Sequence, residues 1–430
     1  MTDNNRVGDE MYRWASELFP INRSITGDGL RETLQYLRKF LPDLTIHEVP
    51  SGTQAFDWTV PDEWNIRSAT ITDESGNRIV DFAHSNLHVV AYSTPVDEWL
   101  TLEELQPHLH SLPDQPDAIP YVTSYYVRRW GFCLSHNQRE SLKPGRYHVV
   151  IDSTLAAGAL SYGELILRGT EEKEILLSTY VCHPSMANNE LSGPVVVAAL
   201  AKWISDKSDR RFTYRILFLP ETIGSIVYIS KNIDALKRNT IAGVVASCIG
   251  DDRGYSLLLS RGGDTLADRA AKLVIKHHAP DYVEYSYLDR GSDERQYCWP
   301  GVDLPVVSIM RVGYNGYPEY HTSLDDLTLI SAAGLAGGYT VIHKFIELLE
   351  ANRVYSVTIT CEPQLGRRGF YPTLGGRDVV NSVRSVSNVL AYADGSRDLV
   401  DIATHIGISP EEAIDIAERL REAGLLELVA

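Results

Sequence analysis

The spacing of apolar residues near the start of the chain predicts helices followed by a strand. Residues 8–42 are predicted to be helical, because leucines recur there at helical spacing and Pro42 ends the run. These leucines are Leu30, Leu34, Leu37 and Leu41. Apolar residues then alternate from Leu44 to Val49, which predicts a strand.

The pattern changes after residue 53 to short β-like stretches separated by turn signals. The predicted segments are strands at 69–72, 78–82 and 87–92, a helix at 101–110 and a proline-rich stretch at 113–120. We therefore expect 54–125 to be a β-rich module inserted into a larger domain, which comprises 1–53 and 126–353.

In that larger domain, strands and helices alternate. Strands are predicted at 163–167, 174–179, 215–219, 242–246 and 306–309, and helices at 192–205, 265–275 and 330–351. This alternation predicts an α/β fold, a mostly parallel central sheet with helices on both faces. Ligand sites in such sheets lie at the carboxyl ends of the strands.

The tail, 354–430, is predicted to be a winged helix-turn-helix domain. A helix at 384–393 precedes a helix, a turn and a second helix. Ser409 is the N-cap of this second helix, and Pro410 is at its first helical position. Residues 425–429 are a candidate wing strand. The second helix carries five acids against two arginines, whereas a DNA-reading helix needs a basic surface. We expect this tail to dock on its own catalytic domain, a subunit or a protein partner.

Composition narrows the class of protein. The formal net charge of −17 disfavours nucleic acid and anionic membrane surfaces as partners. Five scattered cysteines without a CxxC pair favour reduced thiols and a cytoplasmic location. The first residues lack the apolar segment of a signal peptide, and no apolar run is long enough for a membrane span. The insertion and the tail are candidate assembly surfaces of a homo-oligomer.

Three polar motifs follow predicted strands. His183 lies in the segment 180–193, Glu221 follows Leu219-Pro220, and His321 lies in 319–326. Two imidazoles and a carboxylate from the Asn189-Glu190 step match the ligands that zinc prefers. Glu221 is interpreted as a general base, and the alternative is an ion-pair or helix-cap partner.

Further acids and aromatic residues accompany these motifs. Asn189, Asp251, Asp293 and Asp325 are candidates for metal ligands or for partners that orient a ligand, with a surface turn or a helix cap as the alternatives for Asp251 and Asp325. The segment 290–297 is interpreted as pocket wall or as a solvated loop. The candidate substrate-binding residues are Arg290, Arg295, Tyr297 and Tyr320.

Together the motifs resemble the M28-like zinc aminopeptidase superfamily. More closely, the chain resembles bacterial aminopeptidase-like proteins from polysaccharide and natural-product gene clusters, which carry an inserted β module and a C-terminal winged helix. The matching segments are 182–193, 220–225, 291–298 and 319–326. The resemblance covers nearly the whole chain and implies a zinc-exopeptidase fold.

The chain departs from that superfamily where two zinc ions are usually bound. The Asp of the His-x-Asp step is replaced by Ser185, the bridging Asp by Asn189, and the second Glu of the Glu-Glu pair by Thr222. Two dications repel each other unless acids compensate their charge. We therefore predict one zinc ion, with His183, Glu190 and His321 as ligands and Glu221 at the family's general-base position.

The predicted function is metal-dependent hydrolysis of an amide bond in a small peptide or aminoacyl conjugate, by zinc-activated water. The site is consistent with a role in a biosynthetic pathway. Two alternatives remain open. One is a non-hydrolytic binding or scaffold member of the fold, and the other is an aminoacyl or acyl transferase.

Overall fold

The computed structural model describes residues 3–314, 316–370 and 377–429. Its strands in chain order are β1 Thr45–Pro50, β2 Gln54–Ala55, β3 Trp58–Thr59, β4 Glu63–Asp73, β5 Arg78–Asp81, β6 Val96–Thr101, β7 Leu109–His110, β8 Phe132–Cys133, β9 Arg146–Ala156, β10 Ala159–Leu167, β11 Glu174–Tyr180, β12 Thr213–Leu219, β13 Thr240–Ala246, β14 Ser256–Leu258, β15 Val283–Tyr285, β16 Val306–Met310, β17 Val354–Val357, β18 Asp394–Asp398 and β19 Leu426–Leu428.

The helices cover the strands and close the ends of the fold. They are α1 Asp3–Leu18, α2 Asp28–Arg38, α3 Leu102–Leu105, α4 His136–Glu140, α5 Ser192–Asp206, α6 Ile223–Asn239, α7 Leu266–His278, α8 Glu294–Tyr297, α9 Ala332–Ala351, α10 Arg377–Tyr392, α11 Leu399–Ile406 and α12 Pro410–Glu422. Among the described residues, no helix combines the length and the apolar character needed to cross a bilayer.

An eight-stranded sheet forms the centre of the molecule, in the order β1-β10-β12-β11-β13-β16-β14-β15. Its four middle strands, β12, β11, β13 and β16, run parallel, and every residue of β11 and β12 is buried. Helices α1, α5, α7 and α9 pack together, while α6 packs against α8. The predicted α/β fold with a mostly parallel sheet is confirmed, and the carboxyl ends of the four middle strands meet at one edge.

A second sheet, in the order β5-β4-β9-β6, lies between β1 and β10 in the chain. The chain leaves the central sheet and returns to it at adjacent positions, because Pro50 pairs with Ala159. Strand β9 lies beyond residue 125, where the inserted module is predicted to end. The domain boundaries themselves stay predictions.

Two local predictions in this region are wrong. Residues 87–92 do not form a strand: a 3-10 helix covers Asn86–His88, and Tyr92 has a positive φ of 69°. The hydroxyl of Ser93 also donates to the carbonyl of Val90 and closes a turn. The predicted helix 101–110 is shorter, because α3 ends at Leu105 and a 3-10 turn with Pro107 follows.

The tail has the predicted winged-helix elements. Strand β17 lies between β18 and β19, and Gly407, with a φ of 75°, makes the turn between α11 and α12. This unit contacts the preceding domain through ion pairs, with Lys344–Glu411 at 2.7 Å and Arg269–Asp398 at 3.1 Å. These ion pairs show that the tail packs against the preceding domain of its own chain.

Gly193 at the start of α5 is expected to be required for the close packing of this helix against the central sheet. A Cβ there would lie 2.3 Å from the carbonyl oxygen of Ala246 and 2.4 Å from Oγ1 of Thr179. Because backbone must move to relieve the clash, Gly193→Ala should destabilise the fold by about 1–3 kcal/mol. Thermal unfolding checks this, with Gly254→Ala as control, since its added Cβ meets open space. Equal melting temperatures for the two variants would contradict the expectation.

Candidate functional site

Three loops at the carboxyl ends of the parallel strands converge on one cavity. His183 follows β11, Glu221 follows β12, and His321 lies in the loop after β16. The imidazole centroids of His183 and His321 are 5.6 Å apart, and Nε2 of His183 lies 3.6 Å from Oε2 of Glu221. The structure thus brings two distant imidazoles and one carboxylate to the same place.

His183 is held from behind by a buried ion pair. Its Nδ1 lies 2.9 Å from Oε2 of Glu190, and Oε1 of Glu190 lies 3.2 Å from Nε of Arg23. Arg23 also donates to the carbonyls of His183 and Leu18. Burial lowers the pKa of His183, but the hydrogen bond and charge of Glu190 outweigh it, so the pKa is raised. Glu190 therefore fixes the ring with Nε2 towards Glu221.

His321 is placed by a strained backbone and by aromatic neighbours. Its φ is 56°, and its carbonyl accepts a 2.9 Å hydrogen bond from the amide of Tyr121. Its ring stacks on Tyr320 with centroids 4.0 Å apart. Within the described residues, neither ring nitrogen makes a hydrogen bond. Burial and the charge of His183 lower its pKa to about 3, so the ring is neutral and its unprotonated nitrogen is free to bind a ligand.

Glu221 sits at a sharp turn between β12 and α6. The hydroxyl of Ser292 donates to its Oε1 at 2.7 Å, and its amide donates to Sγ of Cys182 at 3.1 Å. The next residue, Thr222, has a φ of 64°, and its amide donates to Asp293 at 2.8 Å. Burial, followed by the charge of Glu221, raises the pKa of Asp293 to about 7. Asp293 therefore supports the turn that presents Glu221.

A single turn of π-helix, Ala187–Leu191, carries Asn189 and Glu190. The carboxylate of Asp325 accepts from the amides of Ala187, Asn188 and Asn189 at 2.6–3.1 Å, instead of orienting His321. Asp251 accepts from the side chain of Asn188 at 3.0 Å and is buried, so it does not lie in a surface turn. Both acids hold the loop in place.

Asn189 leaves one polar atom without a partner. Its Nδ2 donates to the hydroxyl of Tyr180 at 3.0 Å, while its Oδ1 is buried and accepts no hydrogen bond within the described residues. A buried acceptor without a partner is costly and calls for an explanation such as a bound ion. The Tyr180 ring centroid lies 5.1 Å from that of His183, so Tyr180 contacts both this amide and the His183 ring.

The cavity in front of these groups has a volume of about 340 Å³. Its polar wall includes His183, Glu221 and His321, and its aromatic wall is contributed by the segment between β1 and β10. The aromatic side chains are those of Trp58, Tyr121, Tyr125 and Tyr126. The inserted segment therefore completes the cavity, and its apolar walls strengthen electrostatic interactions inside it.

The other predicted site residues are placed differently. Arg295 lines the cavity, whereas Arg290 lies in an adjoining groove. Tyr297 is fully buried and its hydroxyl lies 2.9 Å from that of Ser178, so it belongs to the core. Tyr320 supports His321 from behind and does not line the cavity.

Sequence reasoning missed three residues at this site. Arg23 carries no sequence signal, because its partner Glu190 is 167 positions away. Tyr121 and Tyr125 have hydroxyls 2.5 Å apart, and the Tyr121 ring lies edge-on to His321 at 5.3 Å. Their signal is the aromatic cluster that follows the proline-rich stretch, at 121–126.

The donor atoms present fit one zinc ion. Cys182, His183 and Glu190 offer ligand atoms within 4.8 Å of one another, but a dication there would lie beside the Arg23 guanidinium. On the cavity side, His183 offers Nε2 and His321 offers a neutral ring. The unpartnered Oδ1 of Asn189 is a further oxygen donor, from a residue that does not line the cavity. These are nitrogen and oxygen ligands of the kind that zinc binds.

The chain matches two family models. Residues 12–352 match a family described as a domain of unknown function, DUF4910, and residues 353–428 match a winged helix-turn-helix family. The second match confirms the winged helix that was predicted for the tail.

Relatives span almost the whole chain. A Clostridium acetobutylicum protein named for polysaccharide biosynthesis and an aminopeptidase-like domain is 45% identical over 99% of this chain and 98% of its own. A crystal structure from the same organism, of a protein named as a peptidase, superposes with a TM-score of 0.93 at 43% identity, and covers 99% of this chain and 98% of that one. The predicted resemblance to bacterial aminopeptidase-like proteins is confirmed.

More distant structures share the fold. A zinc aminopeptidase from Bacillus subtilis superposes with a TM-score of 0.55 at 12% identity, over 78% of this chain and 93% of that one. A peptidase M28 precursor from Shewanella amazonensis also gives 0.55 at 12% identity, over 84% and 98%. The M28-type fold is therefore shown.

Proposed function

Because this chain belongs to the DUF4910 family and has the M28-type aminopeptidase fold, we propose that it is a metal-dependent hydrolase of an amide bond in a small peptide or aminoacyl conjugate. One observation carries this proposal: the His183 and His321 rings meet 5.6 Å apart, beside the carboxylate of Glu221. Release of amine from a panel of aminoacyl amides by the zinc-loaded protein tests it.

His183 and His321 would hold the ion, with the Asn189 side-chain oxygen as the third donor from the protein. When bound, zinc supplies Lewis acidity, which polarises a carbonyl group and acidifies water. In this assignment Glu190 is not a ligand. Its two oxygens contact Nδ1 of His183 and the Arg23 guanidinium, so Glu190 orients the imidazole and increases its basicity.

Glu221 acts as the general base. The Ser292 hydroxyl holds Oε1, so Oε2 remains directed at the imidazole pair. Glu221 accepts a proton from the water that attacks the substrate carbonyl, and later donates it to the departing amine.

The tail is proposed to act as a docking element of the same chain. Its acidic second helix contacts Lys344 through Glu411, and nucleic acid binding is not part of this proposal. The name of the Clostridium acetobutylicum relative supports a substrate from a biosynthetic pathway. We propose a cytoplasmic location, because Cys361 is exposed and unpaired while the other cysteines are buried and free.

His321→Ala is expected to weaken zinc binding by more than about 100-fold, since loss of a group that only supports a ligand already costs 10- to 100-fold. Zinc titration and metal analysis measure this effect. His343→Ala is the control, because His343 pairs with Glu347 outside the cavity. If the wild-type protein carries no zinc and His321→Ala changes nothing, the non-hydrolytic alternative is favoured.

A further inference from the structure

Arg295 is a cation without an acidic partner at the edge of the candidate active site. Its Nη2 donates to the hydroxyl of Thr222, and its Nε is buried without a hydrogen-bond partner. Within the described residues, no carboxylate oxygen lies within 4.0 Å of its guanidinium. Thr222 is neutral, and Arg295 acts on the carboxyl group of Asp293 through its charge alone, without an ion pair.

The more deeply buried arginines are satisfied inside the protein. Arg23 pairs with Glu190, and Arg215 pairs with Glu174 at 2.7 Å. Arg311 donates to the carbonyls of Gly254 and Gly334. A guanidinium with a buried unpaired nitrogen is costly unless another group satisfies it. Arg295 differs from these arginines because its guanidinium has no internal anion and can accept one from a ligand.

The space beside Arg295 is large enough for such a group. A groove of about 820 Å³ adjoins the cavity, and both are lined by Arg295 and Trp58. Trp58 and Trp299 in this groove keep 37% and 52% of their surface exposed, and Leu288 keeps 85%. The groove is also lined by Arg290 and Asp57. Exposed apolar side chains around a few charged groups are typical of a ligand site.

We propose that the substrate carries a carboxylate or phosphate group that pairs with Arg295, on the amine side of the scissile amide. This inference rests on the proposed function for the position of the amide. Arg295 contacts Thr222, which directly follows Glu221, and Glu221 is the residue that protonates the departing amine. The part of the substrate nearest Arg295 is therefore the amine portion, which extends into the groove between Trp58 and Trp299. A guanidinium binds either oxyanion through two parallel hydrogen bonds.

The test uses binding of analogues that cannot be hydrolysed, so it does not depend on turnover. The analogues form two pairs, each with an anionic and a neutral member: leucyl-glycine with leucyl-glycinamide, and leucyl-phosphoethanolamine with leucyl-ethanolamide. In all four compounds a methyleneamine replaces the scissile amide. Calorimetry measures their binding to the full-length, zinc-loaded protein. The first pair reports a carboxylate and the second a phosphate. In at least one pair, the wild-type protein should bind the anionic member about tenfold or more tighter than the neutral one.

Arg295→Gln should remove this preference, and Arg295→Lys should retain part of it. Arg261→Gln is the matched control, because Arg261 pairs with Asp303 on the surface and should leave the preference unchanged. No anion preference in either pair, or a preference that survives Arg295→Gln, overturns the inference. An Arg295-dependent preference in a protein that hydrolyses no amide supports the anion site and refutes the proposed hydrolysis instead.

Discussion

Replacing Glu221 by Gln is expected to lower kcat/KM for amide hydrolysis by about 10²- to 10⁴-fold, the usual contribution of a general base. Glutamine has nearly the same shape and can still accept the hydrogen bond from Ser292, so the turn should keep its conformation. It cannot accept the proton of the attacking water. Steady-state kinetics of the zinc-loaded variant measure the loss.

Zinc content distinguishes loss of the base from loss of the site. Because Glu221 is not among the three proposed ligands, Glu221→Gln should bind zinc as the wild-type protein does. Glu284→Gln is a matched control at a surface ion pair with Lys272 and should keep full activity. Full activity of Glu221→Gln would remove Glu221 as the base and refute the proposed mechanism.

Arg23→Met is expected to destabilise the protein by about 3–5 kcal/mol, because it leaves the buried carboxylate of Glu190 without its cation. Arg23 and Glu190 are both fully buried, and Arg23 also bridges Leu18 to the carbonyls of His183 and Pro184. Methionine fills part of the volume but supplies no donor. Thermal unfolding should show a fall in melting temperature of about 3–6 °C, because a chain of 430 residues has a large unfolding entropy.

Two further variants separate charge from packing. Arg67→Met removes an exposed ion pair with Asp152 and should leave the melting temperature almost unchanged, because solvent screens this pair. Combining Arg23→Met with Glu190→Gln removes the unpaired charge and should recover part of the lost stability. If Arg23→Met and Arg67→Met melt at the same temperature, the buried pair does not have the structural role described here.

The local patterns along the chain predict the central sheet well and the inserted region poorly. Strands such as β11 and β12 are buried on both faces, so they appear as continuous apolar runs that are easily recognised. Residues 87–92 are equally apolar but form a turn, because Tyr92 adopts a positive φ and Ser93 closes the chain on Val90. An apolar run indicates that a segment is buried, but it does not indicate which backbone conformation the segment adopts.

The sequence by itself determined that His183, Glu221 and His321 follow strands of a parallel sheet, because the apolar runs of those strands are a local pattern. Only the tertiary structure decided what each side chain contacts. Glu190 faces Arg23, Tyr121 holds His321, and Arg295 reaches Thr222, across separations of 167, 200 and 73 positions. Such contacts depend on the paths of irregular loops and of an insertion, which have no repeating pattern, whereas strand ends are aligned by the hydrogen bonds of the sheet.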